Sequence, residues 1–169
     1  NCIIKSLTVE VMLVQCIKRR VYEKRVLIIL SGPSGVGKGT VRRYFENDER
    51  LNLAYSTSMT TREPRNGEID GKDYFFTSRQ DFENAIKNGE LLEYAEFVGN
   101  YYGTPLKEVE KLRNEGKNVI LEIEVQGATQ VQEKCPDALS IFIIPPSMEE
   151  LEKRIRGRKT EAEEIVQQR

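Results

Sequence analysis

The sequence predicts an α/β fold in which a parallel sheet is flanked by helices. Three short apolar runs, at residues 26–30, 119–121 and 141–144, are bounded by chain-breaking residues, as fully buried parallel strands are. Segments with helical spacing lie between these runs, and the alternation is typical of a doubly wound sheet. A chain of 169 residues is long enough to form one domain with a sizeable core.

Three of the predicted helices begin at recognisable caps. A hydroxyl before a helix can accept from the free N–H groups of the first turn, and proline at the first turn has no N–H group to satisfy. The residues that mark the starts are Ser78 with Asp81, Thr104 with Pro105, and Ser147 with Glu150. The first two helices are expected to stop at Gly89 and Gly116.

The composition excludes several classes of function. Lys and Arg number 26 and Asp and Glu 27, so the chain lacks the basic surplus of a nucleic-acid binder. It has no histidine, which removes imidazole catalysis and histidine-ligated metals. The cysteines Cys2, Cys16 and Cys135 form no C-x-x-C pair, which argues against a zinc site and a disulfide framework and favours a reducing, cytoplasmic location. The chemistry is therefore expected to depend on positioning and charge.

Residues 1–25 differ from the rest and are expected to be an extension of unknown role. No uninterrupted apolar run in this segment approaches the ~20 residues that span a bilayer, so we expect no membrane anchor. Its basic residues follow the apolar part and no small-residue cleavage pattern is present, so it makes a poor secretory signal. The segment is expected to be either an edge strand or a disordered lead.

A glycine-rich segment, here called the phosphate loop, follows the first predicted strand. Its residues fit the pattern G-x-x-x-x-G-K and are Gly32, Pro33, Ser34, Gly35, Val36, Gly37, Lys38, Gly39 and Thr40. Such glycines let backbone N–H groups converge on phosphate oxygens, and Lys38 supplies a mobile charge for the β- and γ-phosphates of ATP. The strict pattern has Ser or Thr directly after the lysine, whereas Gly39 stands there, so we expect Thr40 to contact Mg²⁺. A plain glycine turn is the alternative, which the lysine disfavours.

Residues 58–104 carry several motifs in one order. They are S-M-T-T-R-E-P-R at 58–65, G-E at 67–68, G-K-D-Y at 71–74, E-Y-A-E-F at 93–97 and G-N-Y-Y-G-T at 99–104. In these motifs the chain resembles bacterial-type guanylate kinases, and the likeness covers nearly everything from Val26 to Arg169. The resemblance implies a P-loop nucleoside monophosphate kinase fold with a small mixed α+β insertion for GMP and a helical lid. It also implies Mg²⁺-dependent phosphoryl transfer from ATP to GMP, giving ADP and GDP.

The same resemblance implies a GMP site. Its residues are Ser58, Arg62, Arg65, Glu68, Tyr74, Glu93, Tyr102, Thr104 and Glu124. Two arginines three residues apart can offer forked hydrogen bonds to one phosphate, and phenolic hydroxyls can complete the shell. Glu93 can accept from the N1–H and amino groups of guanine together, whereas adenine has a bare N1 at this edge. A site built on such bonds can reject the wrong base by roughly 10⁴–10⁵.

Two glutamates follow the strand predicted at residues 119–121. Alternation would place Glu122 and Glu124 on one face at the carboxyl end of the strand, where α/β sheets bind ligands. Guanylate kinases commonly have aspartate at the position of Glu124, so the longer side chain leaves open whether it contacts Mg²⁺ or GMP. Glu122 is a further candidate for Mg²⁺. Two solvated glutamates at a strand end are the alternative.

The last part of the chain resembles the beginning of the family's lid. Arg154, Arg158 and Arg169 match arginines that cover the transferring phosphate, and with Lys38 they are the predicted catalytic residues. One well-placed arginine can contribute about 10³–10⁵ in rate. Lys159 stands where the family has glycine. The family continues beyond Arg169 into a helix and a strand, so a chain ending there is expected to be less stable and to bind ATP more weakly.

The predicted organisation is a P-loop core at residues 26–57 and 106–148, a GMP-binding insertion at 58–105 and the start of a lid at 149–169. The expected partners are ATP and GMP, without nucleic acid or membrane, and the sequence gives no oligomeric state. Two alternatives remain at this point. One is an inactive guanylate-kinase-like module that binds proteins, and the other is a kinase for another nucleoside monophosphate.

Overall fold

The computed structural model describes residues 2–5 and 25–157. The strands are β1 (Cys2–Lys5), β2 (Leu27–Ser31), β3 (Leu53–Tyr55), β4 (Met59–Thr60), β5 (Phe75–Phe76), β6 (Leu91–Phe97), β7 (Asn100–Pro105), β8 (Asn118–Glu122) and β9 (Leu139–Ile144). The α-helices are α1 (Lys38–Arg43), α2 (Arg79–Lys87), α3 (Leu106–Asn114), α4 (Val125–Lys134) and α5 (Met148–Gly157), and a 3₁₀ turn spans Glu49–Leu51. In this part of the chain, no helix is long and apolar enough to cross a membrane.

The first sheet is parallel, with the strand order β1-β9-β2-β8-β3. All five residues of β2 are buried, because apolar side chains cover both faces of the sheet. On one face Leu151 and Ile155 of α5 pack against the strands, and on the other face Val109 of α3 and Val131 of α4 do so. The three strands that the apolar runs predict are confirmed. The backbone of residues 2–5 forms the edge strand that was one of the two expectations for that segment.

The second sheet is mixed, with the strand order β5-β4-β7-β6. Strand β4 is parallel to β5 and antiparallel to β7, and β7 pairs with β6 in antiparallel fashion. Helix α2 covers the sheet through Phe82, which is fully buried and stacks on the Tyr101 ring at 5.2 Å. Strand β6 therefore lies at one edge of this sheet.

Two of the predicted caps are confirmed, and the third helix begins where it was predicted but without the hydroxyl cap. The hydroxyls of Ser78 and Ser147 accept from the N–H groups of Asp81 and Glu150. Thr104 instead belongs to β7, and α3 begins after Pro105, which makes no side-chain cap. The Thr104 hydroxyl does not cap the helix because it donates to Glu93 in a buried tertiary hydrogen bond.

The interpretation of the segment after β8 also needs correction. Glu122 is the last residue of β8, and the strand ends there. Glu124 is the N-cap residue of α4, so the two glutamates do not share a strand face. Gly127 lies inside this helix. The chain turns into α4 directly after the sheet, which brings the helix beside β6.

Candidate phosphoryl-transfer site

A cleft of about 860 Å³ lies between the carboxyl ends of the parallel strands and the second sheet. It brings together most of the residues predicted for the two sites. The predicted residues that line it are Ser34, Gly35, Val36, Gly37, Lys38, Gly39, Thr40, Ser58, Arg62, Arg65, Glu68, Tyr74, Glu93, Tyr102, Glu122 and Glu124. Gly32, Pro33 and Thr104 lie outside the lining. The cleft thus joins the phosphate loop to the side chains predicted for GMP.

The phosphate loop connects β2 to α1 and has a backbone that requires glycine. Gly35 and Gly37 have φ angles of 80° and 104°, in the left-handed region that favours glycine. A Cβ atom at Gly35 would lie 2.6 Å from Ile155 Cγ1, so the loop packs closely on α5. These constraints give the loop its curved shape beside the first turn of α1.

Lys38 lies folded back over the phosphate loop. Its Nζ donates to the carbonyl oxygens of Gly32 and Pro33 at 2.8 and 3.3 Å. It also forms an ion pair with Glu124 Oε1 at 3.1 Å. Only 11% of the Lys38 side chain is exposed, against 43% for Glu124. The ammonium group is therefore held near the loop, and Glu124 is the more exposed partner of the ion pair.

The wall beside the phosphate loop carries hydroxyl and carboxylate oxygens. Thr40 lies in the first turn of α1, and Glu122 ends the neighbouring β8. The hydroxyls of Tyr55 and Ser56 are buried in this wall without a hydrogen-bond partner in the described part of the chain. Burial raises the pKa of Tyr55, so its hydroxyl stays protonated and remains a donor. Buried hydroxyls without a protein partner indicate that this wall receives a polar ligand or water.

Metal binding can be tested against these donors. In the described residues, no three carboxylate, cysteine or histidine side chains converge to hold a metal by themselves. Mg²⁺ is usually held by one or two protein oxygens together with substrate phosphates and water. Thr40 and Glu122 are hard oxygen donors on the same wall and suit that mode of binding. The residues present therefore fit a Mg²⁺ ion that arrives with a nucleotide.

On the opposite side of the cleft lies an acceptor cluster, formed by Arg62, Arg65, Glu68, Tyr74 and Tyr102. The Arg62 guanidinium donates to both oxygens of Glu68 at 2.8 and 2.9 Å, and the Arg65 N–H donates to Glu68 at 2.7 Å. Arg62 also lies 5.5 Å from the centre of the Tyr74 ring, which meets the Tyr102 ring edge-on. Burial opposes ionisation of Glu68, but the Arg65 N–H and Arg62 lower its pKa overall. The cluster holds Arg62 in a fixed orientation before any ligand binds.

Glu93 is a buried carboxylate on β6. It is 3% exposed, and Thr104, which is 1% exposed, donates its hydroxyl to Glu93 Oε1 at 2.6 Å. Burial raises the pKa of Glu93, although the Thr104 bond and the charge of Lys134 oppose this shift. Thr104 therefore lies behind Glu93 and fixes its orientation, whereas Glu93 itself faces the cleft.

The lid arginines are described only in part. Arg154 Nη1 donates to the Val36 carbonyl of the phosphate loop at 3.1 Å, and its Nε donates to Glu150 at 2.8 Å. Arg158 and Arg169 lie outside the described residues, as does Lys159. Several cleft residues were not predicted from the sequence, and two of them, Arg42 and Arg43 of α1, carry positive charge. Their position in the first helix after a phosphate loop was the available signal.

The fold and the cleft together define the class of protein. A phosphate loop follows a central parallel strand, and it faces arginines and a buried carboxylate on a second sheet. Transfer of a phosphoryl group needs this kind of positioning by charge and little covalent chemistry. The class is that of the P-loop nucleoside monophosphate kinases.

Comparison with known proteins identifies the family. The family model "Guanylate kinase" matches residues 24–169, and the chain belongs to the guanylate kinase family. It is 58% identical to guanylate kinase of Streptococcus thermophilus over 147 residues, covering 87% of this chain and 70% of that protein. Against guanylate kinase of Bacillus anthracis the identity is 58% over 144 residues, covering 85% and 70%.

A solved structure agrees with this result. The crystal structure of guanylate kinase from Anaplasma phagocytophilum matches with a TM-score of 0.65 and 41% identity, over 79% of this chain and 66% of that one. The chain thus spans about 70% of the length of the curated relatives and somewhat less of the solved one. The predicted family, fold and enzyme class, a kinase that transfers phosphate from ATP to GMP, are confirmed. The family match begins at residue 24, which leaves the first 23 residues outside it.

Proposed function

We propose that the cleft transfers the γ-phosphoryl group of ATP directly to the phosphate of GMP, with Mg²⁺, and that the residues predicted from the sequence perform this transfer. The observation that carries the proposal is that Lys38 of the phosphate loop and the buried Glu93 line one cleft. A donor site and a base-reading acceptor site are both needed for the reaction, and the cleft is large enough for drug-sized ligands.

The acceptor site selects GMP through its base and its phosphate. The two carboxylate oxygens of Glu93 face the N1–H and amino groups of guanine, and Thr104 holds the carboxylate from behind. Ser58 lines the same side of the cleft. The acceptor cluster binds the monophosphate, because the guanidinium of Arg62 is already oriented by the hydrogen bonds of its Nη2 to both oxygens of Glu68. Preorganisation of this kind reduces the entropic cost of binding.

The donor site holds the phosphates of ATP. Backbone N–H groups of the phosphate loop surround them, and Lys38 exchanges its contact with Glu124 for a phosphate oxygen. Arg154 lies against the same loop and adds positive charge near the transferring group. The exposure of Glu124 makes this exchange easy, because water can solvate the released carboxylate. Glu124, once released from Lys38, remains a predicted contact for GMP.

Thr40 and Glu122 would hold Mg²⁺, which neutralises charge on the donor phosphates when it is bound. A phosphate oxygen of GMP attacks in line, so no covalent enzyme intermediate is needed. Lys38 and Arg154 stabilise the charge of the transition state, and Arg158 and Arg169 remain predicted partners in this role. The cytoplasmic location is part of the proposal, because ATP and GMP are supplied there.

Coupled measurement of ADP release tests the proposal against its two alternatives. GMP, AMP, CMP and UMP are offered separately with ATP and Mg²⁺, and turnover is expected with GMP alone. Equal rates with AMP and GMP would show that Glu93 does not select the base. A folded protein that binds GMP but never releases ADP would indicate the protein-binding module.

A matched pair of variants makes the test specific for Glu93. Glu93→Gln removes the charge that accepts from guanine, so kcat/KM for GMP should fall about 10–100-fold. Glu110→Gln makes the same chemical change at an exposed position on α3 and should leave turnover unchanged. Calorimetric titration with GMP and with ATP separates a loss of binding from a loss of chemistry.

A further inference from the structure

Strand β6, which carries Glu93, is held along its free edge by side chains of helix α4. Among the described residues, β6 pairs in the second sheet only with β7, so in this part of the chain no strand satisfies the backbone groups of its other edge. Helix α4 belongs to the parallel-sheet side of the molecule and packs beside this edge. The strand that carries Glu93 is therefore attached to a helix of the other sheet.

Gln130 and Lys134 make the contacts with the free edge of β6. The Tyr94 N–H donates to Gln130 Oε1 at 3.3 Å, and Gln130 Nε2 donates to the Tyr94 carbonyl at 2.7 Å. Lys134 Nζ donates to the Leu92 carbonyl at 2.6 Å. Tyr94 and Leu92 are the residues on either side of Glu93. The amide of Gln130 replaces the paired bonds of a missing strand, and Lys134 adds a charged donor.

Gly127 brings the same helix face against Glu93 itself. Gly127, Gln130 and Lys134 are spaced i, i+3 and i+7, which places them on one side of a helix. A Cβ atom at Gly127 would overlap Glu93 Oε2 and lie 2.8 Å from its carboxyl carbon. The helix can approach the carboxylate because this position has no side chain. Lys134 also opposes the rise in the pKa of Glu93 that burial causes.

From these contacts we propose that Gln130 and Lys134 are positioning residues that fix Glu93 for guanine and thereby set the preference for GMP over IMP. The inference rests on the proposed role of Glu93. Guanine offers two donors to the carboxylate, and hypoxanthine offers N1–H without the amino group. The second bond forms only if β6 holds Glu93 in register with the base. Release of the β6 edge should therefore weaken the binding and turnover of GMP more than those of IMP.

The test compares GMP and IMP as acceptors at saturating ATP, by kcat/KM and by calorimetric binding. The wild-type protein should prefer GMP about 10–100-fold, the range for a hydrogen bond to a charged group. Gln130→Ala and Lys134→Met should each reduce this preference about tenfold, since misplacement of an anchoring group by ~1 Å can cost 10²-fold. The KM for ATP should stay within about twofold, because the donor contacts lie elsewhere.

Two further variants separate positioning from general damage. Lys134→Arg keeps a charged donor for the Leu92 carbonyl and should restore most of the preference. Glu133→Ala removes an exposed side chain from the same helix turn and should change kcat/KM for neither GMP nor IMP. Circular dichroism confirms that each variant is folded. The ratio of kcat/KM for GMP to kcat/KM for IMP is informative, because a purely structural defect would lower both values equally.

The outcomes also separate this inference from the proposed function. A wild-type preference that Gln130→Ala and Lys134→Met leave intact overturns the positioning role alone. A wild-type protein that binds GMP and IMP equally overturns the assignment of Glu93 and, with it, this inference. Loss of preference in Lys134→Met without recovery in Lys134→Arg would also contradict the proposed contact with Leu92.

Discussion

Replacement of Gly127 by alanine adds one methyl group against the carboxylate of Glu93. The new Cβ would overlap Oε2 and lie 2.8 Å from Cδ and 3.4 Å from Cγ of Glu93. Carbon atoms in contact are normally about 3.5–4.0 Å apart, so the carboxyl group must retreat by roughly 1 Å. The hydrogen bond from Thr104, now 2.6 Å long, cannot keep its length after such a movement. The change therefore acts directly on the group that is proposed to read guanine.

The expected size of the effect follows from these distances. Misplacement by ~1 Å can cost about 10²-fold, so kcat/KM for GMP should fall about 100-fold, or about 2.7 kcal/mol. Alanine in place of a helical glycine stabilises the helix by about 1 kcal/mol, which offsets part of an overpacking cost of about 1–3 kcal/mol. The melting temperature should therefore fall by about 8 °C at most. Activity is lost far more than stability.

The assay is coupled ADP release, and a double variant identifies the cause. Glu93→Asp shortens the carboxylate by one methylene and makes room for the methyl group. In the Gly127→Ala background this second change should add little to the loss, so the two costs should be strongly non-additive. Thr129→Ala, on the exposed side of α4, is the control. Wild-type activity in Gly127→Ala, or simple additivity in the double variant, would refute the steric argument.

Three other changes test separate parts of the site. Glu93→Gln should leave the unliganded protein at least as stable as wild type at about pH 8, because burial raises the pKa of Glu93 and ionisation above that pKa costs stability. The cost disappears as the pH falls through the raised pKa, so thermal melts at about pH 8 and pH 5 should show a shrinking difference. Arg62→Lys should raise the KM for GMP about tenfold in acceptor titrations, since an ammonium group has one nitrogen and cannot donate to Glu68 and to the Glu63 carbonyl as Nη2 and Nη1 of Arg62 do. Lys38→Met should lower kcat about 10²–10³-fold in the coupled assay, with the KM for GMP within about twofold.

The parallel sheet and the phosphate loop could be predicted from the sequence because local pattern determines them. Residues 27–30 of the first apolar run are buried on both faces, and that leaves a continuous signal in the chain. The loop after it has glycines at 35 and 37, where the backbone has positive φ. Ser78 caps α2 through an atom three residues from its partner. In each of these cases the physical cause lies within a few residues.

Helix α4 could not be predicted in the same way. Its sequence is mostly polar, contains a glycine, and buries only Gly127 and Val131, so the apolar period of a helix is weak. Its contacts with β6 join residues that are 36 and 42 positions apart. Thr104 is a second residue whose contact could not be predicted. Its position before Pro105 is typical of a helix cap, but its hydroxyl bonds to Glu93, which only the fold brings close.

The two sides of the cleft differ in how firmly their charged groups are held, and this difference assigns selectivity to the acceptor side. The contact between Lys38 and Glu124 involves a carboxylate that is 43% exposed, and such pairs contribute on the order of 1 kcal/mol or less. Phosphate can therefore displace it at little cost. Glu93 is 3% exposed and fixed by Thr104, and its strand is fixed by α4. A base that leaves this carboxylate unpaired would lose a buried charged bond, whereas the donor contacts proposed for the phosphate loop and Lys38 are with phosphates, which all nucleoside triphosphates share. Discrimination among acceptors should accordingly exceed discrimination among nucleoside triphosphate donors.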